Sequence, residues 1–240
     1  MTEYLIAALA AFLSGVVQGS CGFGAGIILM IALPFFYTIS RAAGIACIVT
    51  IVLTAAMVLR YRRHINLRKV VLPLLLYAAA AAAAIKLAPY VDQALLKRCF
   101  GGFLILLALY HFFLHGKDHG KWSIWGSAAA IIFSGACSGL FAVGGPLMAV
   151  YYLANTDSKE EYLATMEMLF LLNNIWSSYV RIRNGIVTSA EVPVILLGAA
   201  FILLGFLIAN RLVDKLDDKR MGFAVYIAVG FSGILNLFGL

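Results

Sequence analysis

Charge is the scarcest ingredient of this sequence. Of its 240 residues only 12% are Asp, Glu, Lys or Arg, while 63% are apolar; a soluble domain has roughly 25% and 45–50%. A globule of this length has too little interior to hide so much apolar surface. The scarcity excludes an ordinary soluble enzyme and a nucleic-acid-binding module, despite a formal net charge of +7, and the apolar content excludes disorder. Cysteine is sparse too. Cys21, Cys47, Cys99 and Cys137 lie in apolar stretches without CxxC spacing, which makes them packing residues rather than a disulfide frame or a metal site. The four histidines sit at loops or span ends, and neither metal nor cofactor is expected. The spans contain no HExxH motif, no Ser/His pair and no twin Asp, which leaves an intramembrane enzyme without its chemistry. No basic stretch precedes the first apolar run, so a removable signal peptide is not expected.

What is present is hydrophobic length, with a mean hydropathy of +0.98. Charged or turn-rich loops divide the chain into segments 4–38, 42–59, 70–88, 98–114, 122–154, 161–180, 190–209 and 220–240. Six have the ~20 residues of a single transmembrane helix. Two are longer: no charge occurs for 37 positions from Tyr4 to Ser40, nor for 35 from Trp122 to Thr156. As straight helices these would measure about 50–55 Å, against a hydrocarbon core of roughly 30 Å. Each also carries helix breakers near its centre: Gly19, Gly22, Gly24 and Gly26 in the first, Gly139, Gly144, Gly145 and Pro146 in the second. Gly inside a helix costs ~1 kcal/mol relative to Ala, and Pro about 3. Unwound backbone at membrane depth survives only against protein or a wet cavity. Each long segment is therefore expected to be a re-entrant hairpin, helix–break–helix.

The two segments repeat each other. A shift of 120 residues places Ser14-Gly15 on Ser134-Gly135, Gly19 on Gly139, Gly24 on Gly144 and Pro73 on Pro193. The expected fold is an all-α membrane protein of two inverted-topology repeats. The first repeat, 1–120, has hairpin 4–38 and spans 42–59, 70–88 and 98–114; the second, 121–240, has hairpin 122–154 and spans 161–180, 190–209 and 220–240. With returning hairpins, loops 60–69, 115–121, 155–160 and 210–220 share one face and hold twelve of the 18 Lys and Arg. If each long segment crossed once, the cations would divide evenly. The positive-inside rule favours the hairpins, with both termini outside the cytoplasm of a bacterial inner membrane. The basic excess thus reads as topology rather than as a nucleic-acid surface. The alanine run 78–84 suits close helix packing, or a sliding or homodimer surface.

Inverted repeats with broken helices are the pattern of secondary transporters. A helix that starts inside the membrane presents unpaired N–H groups and the positive end of its dipole, an anion site. Gly at the break lets an oxyanion approach the backbone. The doubled pattern SG-x3-G-x4-G, with its GG-P variant at Gly144-Gly145-Pro146, resembles the TauE/SafE sulfite-exporter family, also called the toluene-sulfonate uptake permease family. The resemblance implies an anion permease for sulfite, sulfoacetate or other organosulfonates, working without a cofactor. The first break departs from the family pattern, with Ala25-Gly26 in place of a longer glycine run and with Ser20-Cys21.

The expected substrate contacts are Ser20, Cys21, Gly22, Phe23, Gly24 and Ala25 at the first break, and Phe141, Ala142, Val143, Gly144 and Gly145 at the second. Gln18 offers a further donor, while Gly15/Gly19 and Gly135/Gly139 form GxxxG packing pairs. Glu167, Asn174, Ser178 and Arg181 line one face of their span, with Cys47 and Thr54 at the positions equivalent to Glu167 and Asn174 in the first half. Thr50, Thr54 and Asn174 are expected beside the substrate. Glu167 reads either as an interfacial or paired residue or as a proton carrier. Arg41, Lys86 and Arg181 read as snorkelling residues or as a basic vestibule that concentrates anions. A non-transporting partner protein, the other class considered, would turn its breaks outward.

Overall fold

The structure is a computed structural model that describes residues 2–114, 123–212, 232–234 and 236–237. Among these, every regular element is helical. The first long segment forms α1 (Thr2–Cys21), α2 (Ala25–Ala32) and a 3-10 turn at Leu33–Phe35. Single helices follow: α3 (Ile39–Tyr61), α4 (Leu67–Leu87) and α5 (Gln93–Leu114). The second long segment forms α6 (Ile124–Phe141) and α7 (Gly145–Asn155), followed by α8 (Lys159–Arg183) and α9 (Val192–Leu212). Five stretches are long and apolar enough to cross a membrane: Thr2–Ser20, Ile39–His64, Leu67–Tyr90, Ile124–Phe141 and Ser189–Arg211. The loops 115–121 and 213–220, and the expected span 220–240 apart from 232–234 and 236–237, lie outside the described residues.

Both long segments break where the glycines cluster, but not at their midpoints. The first arms, of 20 and 18 residues, are long enough to cross by themselves, whereas α2 and α7 have 8 and 11. At ~1.5 Å per residue, α7 covers about 16 Å, half a hydrocarbon core. The chain turns back at each break. The hydroxyl of Ser14 donates to the carbonyl of Ala25 at 3.1 Å, although a straight helix would put eleven residues roughly 16 Å apart. The equivalent Ser134 hydroxyl bonds the carbonyl of Gly144.

The helices pack in an exchanged pattern. α1 packs on α9, α6 on α4, and α3 on α8. Glycine permits the close approaches. A Cβ at Gly15 would enter the carbonyl of Ile202, and one at Gly135 or Gly139 that of Tyr77 or Ala81. The two GxxxG pairs are thus helix-packing surfaces, and Ala81 and Ala84 of the alanine run are buried against Gly139. α3 and α8 run antiparallel, since Gly44 meets Arg181, Cys47 meets Ser178, and Thr50 meets Asn174.

Polar contacts gather at the two ends of the bundle. At one end Tyr37 bonds Glu3, and Arg41 lies 3.7 Å from Glu191. At the other, Lys69 pairs with Glu161 at 2.8 Å and Asp157 at 3.4 Å, Asn66 donates to Glu161 at 2.9 Å, and Arg60 reaches Asn210. The Asp157 amide, Lys69 and Asn66 together hold the Glu161 carboxyl at about 2, below its ordinary value of 4.5.

Candidate functional site

The first break turns on glycine. Gly22 and Gly24 have φ of 81° and 112°, a left-handed backbone that only glycine adopts cheaply. Gly24 is the N-cap of α2 and supplies no side-chain cap. The cap comes from α1 instead: the Gln18 carboxamide oxygen accepts from the Ala25 amide at 3.1 Å. The amide nitrogen of Gln18 donates to both carboxyl oxygens of Glu167, at 3.1 Å each. Glu167 is fully buried and forms none of the ion pairs among the described residues. Its side-chain partner is the Gln18 amide rather than a cation.

The second break uses different residues for the same turn. Ala142 takes the left-handed conformation with φ 55°. Gly144, again without a side-chain cap, precedes a helix with Pro146 in its first turn, where the missing N–H costs nothing. The Tyr77 hydroxyl occupies the space that a Cβ on Gly144 would need. The end of α6 is held by α8. Nη2 of Arg181 donates to the carbonyls of Gly139 at 2.6 Å and Ser138 at 3.4 Å, and the Asn173 amide reaches the Ser138 hydroxyl at 3.4 Å.

The two breaks abut. A Cβ on Gly26 would overlap the Ala142 carbonyl, and one on Gly145 would stand 3.0 Å from the Cβ of Phe23. Between them lies a cavity of about 40 Å³ lined by Gln18, Phe23, Gly24, Gly26, Ile27, Thr50, Thr54, Tyr77, Ser138, Ala142, Val143, Gly144, Gly145, Pro146, Phe170 and Asn174. That volume exceeds what one water needs and is wet-sized rather than drug-sized. Most of the lining falls into pairs 120 residues apart: Gln18 with Ser138, Phe23 with Val143, Gly24 with Gly144, Gly26 with Pro146, Thr50 with Phe170, and Thr54 with Asn174. On the central helices Asn174 donates to the Thr50 hydroxyl at 3.2 Å, and Cys47 bonds the Asn174 side-chain oxygen at 3.6 Å.

Of the residues expected at the substrate, Phe23, Gly24, Thr50, Thr54, Ala142, Val143, Gly144, Gly145 and Asn174 line this cavity. Ser20, Gly22, Ala25 and Phe141 do not. The Ser20 hydroxyl bonds back to Val16, Gly22 faces Leu163 and Met166, and Ala25 offers its amide to Gln18. Phe141 turns away to pack on Phe100, with ring centroids 5.1 Å apart. The Cys21 side chain lies outside the described residues. Arg41 and Lys86 are exposed near the ends of their helices, but Arg181 is only 1% exposed and is no surface cation. Sequence reasoning missed Tyr77, Ser138, Gly26, Ile27, Pro146 and Phe170. The 120-residue shift would have found Ser138 from Gln18 and Phe170 from Thr50. Tyr77 has no such signal, because its counterpart is Leu197.

The model of the family described as "Sulfite exporter TauE/SafE" matches residues 7–235, nearly the whole chain. No curated protein and no solved structure matches.

Proposed function

The chain belongs to the TauE/SafE sulfite-exporter family, and on that premise we propose that it carries a small sulfur oxyanion such as sulfite through the membrane by alternating access. The family is one of transporters, and the apolar helices make this a multi-pass membrane protein. The anion is held between the two breaks, where the N-termini of α2 and α7 supply amide hydrogens and the positive ends of their dipoles. One observation carries this reading: both breaks, a half-chain apart in sequence, line a single cavity. The small volume suits sulfite better than an extended sulfonate, and breaks that face each other do not fit a partner protein with outward-turned breaks.

The two breaks belong to inverted halves in which each long segment returns to its starting side. Three contacts support that topology. Glu3 and Tyr37, at the two ends of the first segment, touch. The equivalent helices α3 and α8 are antiparallel. Loops 60–69, 155–160 and 210–212 meet at one end through Lys69, Asp157, Arg60 and Asn210, the face given to the cytoplasm by its cations. In a proton-coupled form of transport the carrier is Glu167, a buried carboxyl held by the Gln18 amide.

Each negative charge leaving a cytoplasm at negative potential gains ~2.3 kcal/mol per 100 mV, so the uncoupled direction is export. Purified protein in liposomes loaded with sulfite is expected to release it, and faster when the lumen is made negative. No flux of sulfite or any organosulfonate would end the permease reading. Flux indifferent to voltage would end its uncoupled form and leave proton-coupled exchange through Glu167.

A further inference from the structure

Every helix–break–helix presents two opposed ends: the positive N-terminus of the returning helix and the negative C-terminus of the incoming one. An anion at the break gains from the first and loses to the second. At the second break the negative end is covered, because Arg181 donates to the last carbonyls of α6 at Ser138 and Gly139. At the first break the described residues place no such cation; Gln18, the counterpart of Ser138, gives its side-chain amide to the Glu167 carboxyl. Arg181 is buried, has no carboxylate within ion-pair distance among the described residues, and its Nε has no hydrogen-bond partner. A buried guanidinium without a counter-ion is costly, so its retention calls for a negative charge that the described residues do not provide. Glu167 and Arg181 each stand seven residues from Asn174 on α8, roughly 10 Å to either side of a residue that lines the cavity.

Resting on the permease reading above, we propose that the two breaks divide the charges: the second is the anion half, with Arg181 as the positioning residue that balances the oxyanion through the end of α6, and the first is the proton half, served by Glu167 and Gln18. Arg181 is faced by Cys47 from α3 and by the two carbonyls from α6, and Glu167 by Gln18 from α1. The cavity contact stays with the break backbones. Arg181 sets how tightly they hold a negative guest.

The experiment measures sulfite efflux from proteoliposomes as a function of sulfite concentration and pH, with thermal melting as the check on folding. Arg181→Gln is expected to raise KM about tenfold, the effect of a unit charge roughly 10 Å away in a protein-like dielectric, with the pH profile unmoved. Arg181→Lys is expected to restore KM to within about threefold, the residual loss expected when a point charge replaces a planar fork. Cys47→Asp, which sets a carboxylate beside the guanidinium and leaves the arginine in place, is expected to raise KM by a similar factor of about ten. It decides the matter should Arg181→Gln fail to fold. An unchanged KM in either folded variant, or a shifted pH profile in its place, overturns the division of charges. Wild-type protein that moves no sulfite would instead sink the permease reading itself, and this inference with it.

Discussion

At residues 22–24 the chain reverses on two glycines with left-handed backbone, and the helix that follows is capped from outside by a glutamine whose other end holds a buried acid. At 142–144 it reverses on an alanine, enters a helix through Gly-Gly-Pro beneath a tyrosine hydroxyl, and has its incoming arm held by a buried arginine. Both turns are the same device, at the same offset, beside the same cavity. They differ in their own turn residues and in the side chains around them: Gln18 comes from the same arm, Tyr77 from the other half, and Glu167 and Arg181 from α8. On the division of charges proposed above, two like turns serve two roles because their neighbours carry opposite charges. What the two turns share is a serine that ties each incoming arm to its returning helix.

The largest test of this contrast is steric. Gly144→Ala would drive a Cβ into the Tyr77 hydroxyl and to within 2.7 Å of the Ser134 carbonyl; the expected result is sulfite efflux lower by about 100-fold or more, or loss of folding altogether. Gly24→Ala meets only the Val17 methyl at 3.2 Å but must hold φ 112°, so it is expected to cost ~1–2 kcal/mol of strain. Thermal melts and flux of the two variants, with Gly102→Ala as an unobstructed control, check the order. Equal damage at both positions would break the contrast.

Next comes the acid. Glu167→Gln keeps a partner for Gln18 but cannot take up or release a proton. The pH dependence of sulfite flux is expected to vanish and proton-driven flux to fall about tenfold, with KM for sulfite within about threefold of wild type. A variant that loses anion affinity and keeps its pH profile would move the proton site elsewhere. A smaller effect is expected at the tyrosine lid of the second break. Tyr77→Phe removes one hydroxyl from the cavity wall and should lower flux about fivefold, near the ~1 kcal/mol of an ordinary hydrogen bond.

The remaining tests move stability rather than transport. Glu161 holds α8 to α4 through Lys69 and Asn66, and its folded-state value of about 2 lies below the ordinary 4.5. A depressed acid stabilises the fold above its unfolded value and loses that contribution as the pH falls from 4.5 toward 2. Glu161→Gln should therefore melt a few degrees lower at neutral pH, with the gap closing on acidification through that window. Ala142→Gly is the mildest change. Relief of a left-handed alanine, ~1–2 kcal/mol, is largely offset by the ~0.5–1 kcal/mol of extra backbone entropy in glycine, so a slight rise in melting temperature is expected.

Much of the arrangement was legible because lipid imposes simple rules. Charge-free length and clustered Gly marked both breaks, and the 120-residue shift joined them. The Gly15/Gly19 and Gly135/Gly139 pairs were read correctly as packing surfaces. Glu167 and Arg181 were less legible, since a charged residue near the end of a span looks the same in sequence whether it snorkels to water or turns inward. Which way it turns depends on the helix that happens to cover it.

By itself the sequence determined that this chain lives in a membrane and where its two long segments break, because apolar length and helix breakers act locally along the chain. Only the tertiary structure decided that Gln18 reaches Glu167, that Tyr77 covers Gly144, and that Arg181 ends up on the carbonyls of α6. Those pairings join residues 149, 67 and 42 positions apart, and they bring α1 to α8, α4 to the second break and α8 to α6. Local propensity has no reach over such distances, and contact between elements does.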